Sequence, residues 1–438
     1  MKKYSFKGGI HPLHDRHEGK SATSGSPVTD FVSDTVCIPM NMHLGAPSTP
    51  CVQKGDIVKM GQVIGEAAGP RGIPVHATVS GKVLAVGKKD QLSSDAPICV
   101  TIENDFQDEW VPLHPLGDVE KVAADQIVPA VRDAGICGMG GAAFPTHVKL
   151  SLPSGKWVDT ILLNGAECET FLTSDHRLML ETPERVVNGL RAVMRAMDVK
   201  KGIIAIEDNK MDAVRAMQKA ASGRDGVEVA VMVTKYPQGG EKQLITAITG
   251  REVPSGGLPM DAHVVVLNVG TAAAIADAVI EGKPLVSRIT TVTGAVKSPQ
   301  NFRLRIGTIF GDVISKAGGY DEEPGKIFAG GSMTGIPAPD DEVSMTKATN
   351  GIVVMRAEEV NPQTQQACIR CGKCVKACPV GLMPYRLMYL CEAEEYDTAV
   401  AEHVKDCILC GSCSYVCPAK RWLVASLKNG KDEIARRK

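Results

Sequence analysis

Between residues 109 and 285 the apolar positions switch repeatedly between two patterns. WVDTILLN, KGIIAIED, VEVAVMVT and AHVVVLNV are short, nearly continuous apolar runs, the pattern of strands covered on both faces. DQIVPAVRDAG, PERVVNGLRAVMRAMDV, KMDAVRAMQKAAS, GEKQLITAITG and TAAAIADAVIEG alternate with them and space their apolar residues as one face of a helix does. Strands alternating with helices predict a mostly parallel sheet, which holds ligands at the carboxyl ends of its strands.

The flanking segments read differently. Residues 1–30 are rich in Gly, His, Ser and Pro with little periodicity and read as an irregular arm. Residues 31–108 (TDFVSDTVCIPM, GDIVKMGQVIGEA, IPVHATVSGKVLAVG, APICVTIEN) are short apolar runs broken by Gly and Pro, the signature of an all-β unit. Two similar halves, Gly55 to Gly65 and Pro74 to Gly87, give it the look of a lipoyl-like barrel sandwich, without an evident attachment lysine. Residues 286–356 return to short strands around one helix, IFGDVISKAGG, and suggest a β-grasp module. Residues 357–438 hold most of the cysteines and helix-forming sequence such as YRLMYLCEAEEYDTAVAEHV. The expected fold is multidomain α/β: an arm, a barrel sandwich, a Rossmann-like α/β domain at 109–285, a β-grasp module and an α-helical cysteine-rich domain.

Composition narrows the function. A chain of 438 residues is long enough for about three or four domains. A formal net charge of −1 and 4% aromatic residues provide neither a basic field nor a stacking platform, which argues against nucleic acid as a partner. No apolar run approaches the length of a membrane span, and the first residues lack the apolar core of a signal peptide. The expected setting is therefore the cytosol, where the fourteen cysteines are poor candidates for structural disulfides.

Nine of those cysteines fall between Cys368 and Cys417. Cys368, Cys371, Cys374 and Cys378, followed by Pro379, form one C-x2-C-x2-C-x3-C-P run; Cys407, Cys410, Cys413 and Cys417, followed by Pro418, repeat it. Three thiolates at this spacing wrap a [4Fe–4S] cubane, and the fourth cysteine of each run ligates the other cluster. The expected sets are Cys368, Cys371, Cys374 and Cys417, and Cys407, Cys410, Cys413 and Cys378. Structural zinc favours separated pairs of ligands and fits two complete runs poorly. Cys391 is off the pattern and reads as a buried thiol.

A second candidate region is the loop Cys137–Lys149, CGMGGAAFPTHVK, after a helix and before a strand. By itself it reads equally as a tight turn or as a place where glycines admit a flat ring or a phosphate. NGAECE at 164–169 and NVGT at 268–271 each follow a strand, and YPQGGE at 236–241 opens a helix, whose N-terminus favours negative charge.

In order and spacing, GMGGAAFPTHVK, LNGAECE, YPQGGEKQL and LNVGT resemble the flavin- and NADH-binding stretches of the complex I subunit that oxidises NADH. With FKGGIHP near the start, the lipoyl-like segment and the doubled cysteine runs, the whole chain resembles the RnfC family of the Rnf electron transport complex, whose β-grasp segment is of the SLBB type. That resemblance implies FMN held by Gly138, Gly140, Gly141 and Lys149, with Lys149 near the phosphate. It implies Asn164, Gly239 and Glu241 along the flavin, Asn268 and Thr271 at the phosphate end, and Phe144 and Glu169 on the nicotinamide side. It further implies NAD(H) as substrate, the other Rnf subunits as partners, ferredoxin reached through one of them, and a place at the cytoplasmic face of the membrane. Two positions depart from the related patterns: Thr170 stands where Pro is usual, and Gly240 where complex I has a glutamate.

Two other functions share parts of this pattern. A soluble cobalamin reductase of the microcompartment type has the flavin domain and clusters but begins near the Gly-rich loop, without FKGGIHP. A non-catalytic scaffold would keep the fold and lose the motifs, which are intact here. Nothing in the chain assigns a role to His11, His14 or His17, which read as surface residues.

Overall fold

The computed structural model describes residues 2–12, 19–93, 95–360 and 364–437. Its centre is a five-stranded parallel sheet in the order Lys3–Tyr4, Val227–Met232, Lys201–Glu207, Thr160–Gly165, Val264–Asn268. Side chains alternate across a strand, and both faces here are apolar. Ile161, Leu163, Ile204, Ile206, Val265 and Leu267 enter the main core. Leu162, Ile203, Ala205, Met232, Val264 and Val266 enter a second core with Leu244 and Ile245 on the other face. This explains why the strands read as continuous apolar runs.

On the main-core face the helices Pro183–Ala196 and Val269–Ile280 cross in close contact. A β-carbon at Gly189 would lie 1.8 Å from the Ala272 carbonyl oxygen, so only glycine allows this approach. The barrel sandwich has two small antiparallel sheets. One is ordered Thr35–Pro39, Ile98–Asn104, Gly81–Lys88, Ile57–Val58; the other is Thr49–Pro50, Val63–Glu66, Val75–His76. Val36, Ile38, Ile64, Val83 and Ile102 from it join the main core. The β-grasp sheet, with the helix Phe310–Lys316, has a separate core around Phe302, Phe310 and Ile314. The C-terminal domain is helical, with Leu387, Ala399, Val404 and Leu427 at its centre.

Residues 1–30 are not simply an irregular arm. Lys3–Tyr4 adds the edge strand of the five-stranded sheet, and Thr29–Phe31 pairs with Phe302–Leu304 in the β-grasp sheet. Each segment is only two or three residues long, too short to carry a period, and each finds its partner far along the chain. The loop after Cys137 also differs from expectation: it leads into the short helix Thr146–Leu150 before the next strand.

The Gly189 contact is a direct test of this packing. Gly189→Leu is expected to lower stability by at least about 1–3 kcal/mol, the usual range for overpacking, read as a fall in the urea midpoint with an unchanged slope.

Candidate functional site

In a parallel sheet the carboxyl ends of the strands lie along one edge, and here that edge gathers the segments singled out above. Asn164, at the end of its strand, donates from Nδ2 to the Gly239 carbonyl at 2.8 Å and accepts at Oδ1 from the Ala166 N–H at 3.1 Å. Asn268 caps the helix Val269–Ile280, its Oδ1 accepting from the Gly270 N–H at 2.8 Å while Nδ2 donates to Asp175 at 2.6 Å. The Met139 N–H donates to the Thr271 hydroxyl at 3.0 Å, so Thr271, fully buried, ties down the Gly-rich loop. Lys149 Nζ contacts Glu241 at 2.7 Å and donates to the Val266 carbonyl at 2.7 Å.

The loop itself forms an open cradle. Nothing lies within 4 Å of a β-carbon built on Gly141, and Gly138 meets only Phe144 backbone atoms at ordinary contact distance. At Gly140 a β-carbon would press on the Asn268 side chain at 2.9–3.1 Å, and at Gly239 on Asn164 at 3.2 Å. Next to Gly239, Gln238 is fully buried with neither amide atom bonded. An orphaned amide beside a surface lined by glycines and flanked by Lys149 fits a polar, planar, phosphorylated ligand such as FMN.

Glu169 is turned toward the β-grasp domain. Its carboxylate accepts from the Met333 N–H at 3.0 Å and from the Thr334 hydroxyl, so it is committed to a β-grasp loop. Burial raises its pKa. Thr170, the residue that departs from the family pattern, bonds Ser332 at 2.5 Å on the same loop. Phe144 is half-buried, and its carbonyl accepts from the Gly138 N–H at 2.9 Å.

A buried ionic network, which sequence patterns did not reveal, underlies this edge. Glu167 turns its carboxylate onto the amides of Asp175 and His176 at 2.7 and 3.1 Å, at the start of the helix Ser174–Glu181. Lys20 reaches the Glu167 and Leu172 carbonyls at 2.9 and 2.6 Å; Lys210 reaches the Ala166 carbonyl at 2.7 Å and Glu207 at 3.1 Å. Burial is the main reason that Lys20 falls to about 8 and that Asp175 rises to about 7, the Asp175 shift reinforced by the nearby negative charge of Glu167. Spacing alone could have flagged only Glu167, through its place in NGAECE.

The two cysteine runs repeat their local geometry. Arg370 and Leu409, each preceding the second cysteine, have φ of 54° and 55°. Gly372 and Gly411, with φ of 72° and 79°, precede the short helices Lys373–Ala377 and Ser412–Tyr415. Cys368, Cys371, Cys374 and Cys417 line one pocket with Tyr385 and Met388. Cys413 is pushed up to about 12, first by burial and then by the negative charge of Cys407, Cys410 and Cys378. The structure thus groups the thiols with the fourth cysteine of each run exchanged, as a pair of cubanes requires. Burial also raises Cys374, Cys407 and Cys410, so these thiols and Cys413 resist ionisation without a compensating cation. Cys391 is buried against Gly430, in the core on which Cys378 and Cys407 pack. His11 is exposed; His14 and His17 lie outside the described residues.

The comparisons define the class first. Residues 131–277 match the Nuo51 FMN-binding domain, 367–420 the 4Fe-4S dicluster domain, 289–337 the SLBB domain and 4–107 the RnfC Barrel sandwich hybrid domain. This is a flavin and iron–sulfur electron-transfer protein. A chain of an NAD+-reducing [NiFe]-hydrogenase in the air-oxidised state shares the fold, with a TM-score of 0.50 and 20% identity over 73% of this chain and 62% of that one. Much closer is the C subunit of the Na(+)-translocating ferredoxin:NAD(+) oxidoreductase complex of Acetobacterium woodii, 48% identical over 99% of this chain and 98% of the relative. The proton-translocating counterpart of Clostridium ljungdahlii is 45% identical over 91% of this chain and 87% of its own length. The chain belongs to the RnfC family, the C subunits of ion-translocating ferredoxin:NAD(+) oxidoreductase complexes. Among its described residues no helix is long and apolar enough to cross a membrane.

Two tests follow. Iron analysis of Cys371→Ser should show about four of about eight irons lost, whereas Cys391→Ser should retain them all. Asp175 binds its proton more tightly folded than unfolded, so its contribution to stability is present at low pH and lost as pH rises from about 4 to about 7. Asp175→Asn should remove that part of the dependence, a difference on the order of 1–3 kcal/mol, seen in urea unfolding at pH 5 and pH 8.

Proposed function

We propose that this chain is the NADH-reactive subunit of an ion-translocating ferredoxin:NAD+ oxidoreductase, passing electrons between NAD(H), FMN and two [4Fe–4S] clusters. The observation that carries the reading is the direct bond between the two halves of the site: Tyr236 donates from its hydroxyl to the Cys410 carbonyl at 2.8 Å. Tyr236 belongs to the loop that Asn164 holds at Gly239. The flavin-side loop and a cysteine run are therefore one packed unit, with Ile10, Tyr236 and Ala377 buried against Cys168, Met333 and Cys410.

Bound FMN would supply the conversion between the hydride of NADH, which leaves NAD+ and a proton, and the single electrons that the clusters take, in either direction. The chain's own residues hold and orient. Gly138, Gly140 and Gly141 would let a flat ring approach the main chain. Lys149 would set a positive charge by the phosphate, with Asn268 and Thr271 holding that end of the cradle. Asn164, Gly239 and Glu241 would line the ring. Phe144 and Glu169 would border the nicotinamide, Glu169 held there by Met333 and Thr334. Cys378, Cys407, Cys410 and Cys413 would hold the cluster nearer the flavin, and Cys368, Cys371, Cys374 and Cys417 the farther one.

The partners would be the other subunits of the membrane complex, with ferredoxin engaged through one of them. The chain would lie peripherally at the cytoplasmic face. The barrel sandwich at residues 4–107 and a relative matched over 98% of its length favour this over a cobalamin reductase.

Anaerobic titration of the purified protein with NADH should bleach the flavin and bring up the spectrum of reduced clusters; failure of both would reject the reading. Gly140→Val should displace Asn268 and lower flavin occupancy tenfold or more, from overpacking of roughly 1–3 kcal/mol. Iron content should not change, and dithionite should still reduce the clusters.

A further inference from the structure

Ile10 aside, the FKGGIHP stretch has been given no role so far, yet its backbone runs through the junction between the flavin-side loop and the cysteine-rich domain. After the edge strand Lys3–Tyr4 the chain passes Lys235, whose Nζ donates to the Phe6 carbonyl at 2.7 Å. It then runs between two other backbones. On one side the Gly9 N–H donates to the Ala377 carbonyl at 2.9 Å; on the other, Ile10 and Tyr236 exchange two N–H···O bonds of 2.8 Å.

Both glycines are required by this layering. Gly8 and Gly9 have φ of 82° and 78°, a region that side chains disfavour. A β-carbon on Gly8 would lie 2.6 Å from the Cys378 carbonyl oxygen, and one on Gly9 2.7 Å from the Tyr236 carbonyl oxygen. Neither obstacle is a side chain that could swing aside. The gap between Tyr236 and the Ala377–Cys378 turn is therefore the thickness of one main chain without side chains.

We propose that Phe6–Ile10 is a spacer strap that sets the separation between the flavin-side loop and the Ala377–Cys378 turn at the end of the first cysteine run, and so governs electron passage to the cluster that Cys378 would help to hold. Gly8 and Gly9 are positioning residues: they act through Cys378 and Tyr236. Buried Ile10 closes the same junction against water beside Cys168 and Cys410. The idea rests on the electron-transfer reading above, in which electrons leave the flavin one at a time for the clusters.

The test uses the full chain with flavin and clusters loaded. In Gly8→Ala, amide exchange at Ile10 and Tyr236 should quicken by roughly tenfold or more as the strap loosens. Flavin content, iron content and the rate at which NADH bleaches the flavin should match the unaltered protein. The single-turnover rate of cluster reduction by NADH should fall below that of the unaltered protein, because electron tunnelling weakens exponentially as the separation grows. Lys7→Ala, on the exposed side of the strap, should behave as the unaltered protein in every measurement.

Faster exchange with unchanged cluster reduction would overturn the proposal, because the strap would then be packing alone. Protected amides in Gly8→Ala would overturn it too, since the glycine would not be needed. Loss of flavin or iron would show that the strap retains cofactors rather than spacing them. If Gly8→Ala does not fold, Ile10→Ala, which trims only a side chain, is judged by the same measurements. Failure of NADH to bleach the flavin in the unaltered protein would instead reject the underlying reading and leave the strap's amide protection as a separate fact.

Discussion

The parallel alignment of the central sheet is the constraint on which the rest depends. Strands that run the same way end on the same side, so the residues after Gly165, Glu207, Met232 and Asn268 crowd one edge. That edge cannot close through strand pairing, because its backbone groups have left the ladder. Side chains complete it: Asn164 bonds a neighbouring loop, Asn268 caps a helix, and Lys149 bridges Glu241 and Val266. The same bonds that finish the sheet make the rim of the cradle.

Charge is managed at this edge by pairing each buried ion with main-chain dipoles. Lys20 and Lys210 sit on carbonyl oxygens, Glu167 on amides, and the buried Arg288 donates to the Met139 and Lys347 carbonyls at 3.0 and 2.6 Å. Buried charges survive only when so compensated. The arrangement joins the flavin loop to the β-grasp domain through Arg288, and to the N-terminal segment through Lys20. Glu169 and Thr170 add a second pair of ties to the β-grasp loop around Ser332 and Met333.

Local signals were strong enough to be read directly where an element repeats. The strands Thr160–Gly165 and Val264–Asn268 were visible as apolar runs because both faces are buried, and the cysteine runs because a cubane needs fixed spacing. The chain also showed which loops follow strands, and from that which residues meet. It did not show what those residues do for one another. Lys149 bonding Glu241, and Glu169 reaching Met333, are contacts between segments far apart in sequence. Gln238 lay within a quoted motif, but only burial reveals its unpaired amide. Lys3–Tyr4 and Thr29–Phe31 were hidden because a two- or three-residue strand has no period of its own, and only the completed sheet makes it a strand.

The bond from Gly9 to Ala377 also has a consequence in time. Gly9 docks on a turn that is synthesised long after it, so a segment made earlier settles later than much of the chain between. Until Cys378 has emerged the N-terminal segment has nothing to lie between, and the junction beneath it stays open. Chain order thereby delays closure of this junction until the turn that ends the first cysteine run has formed.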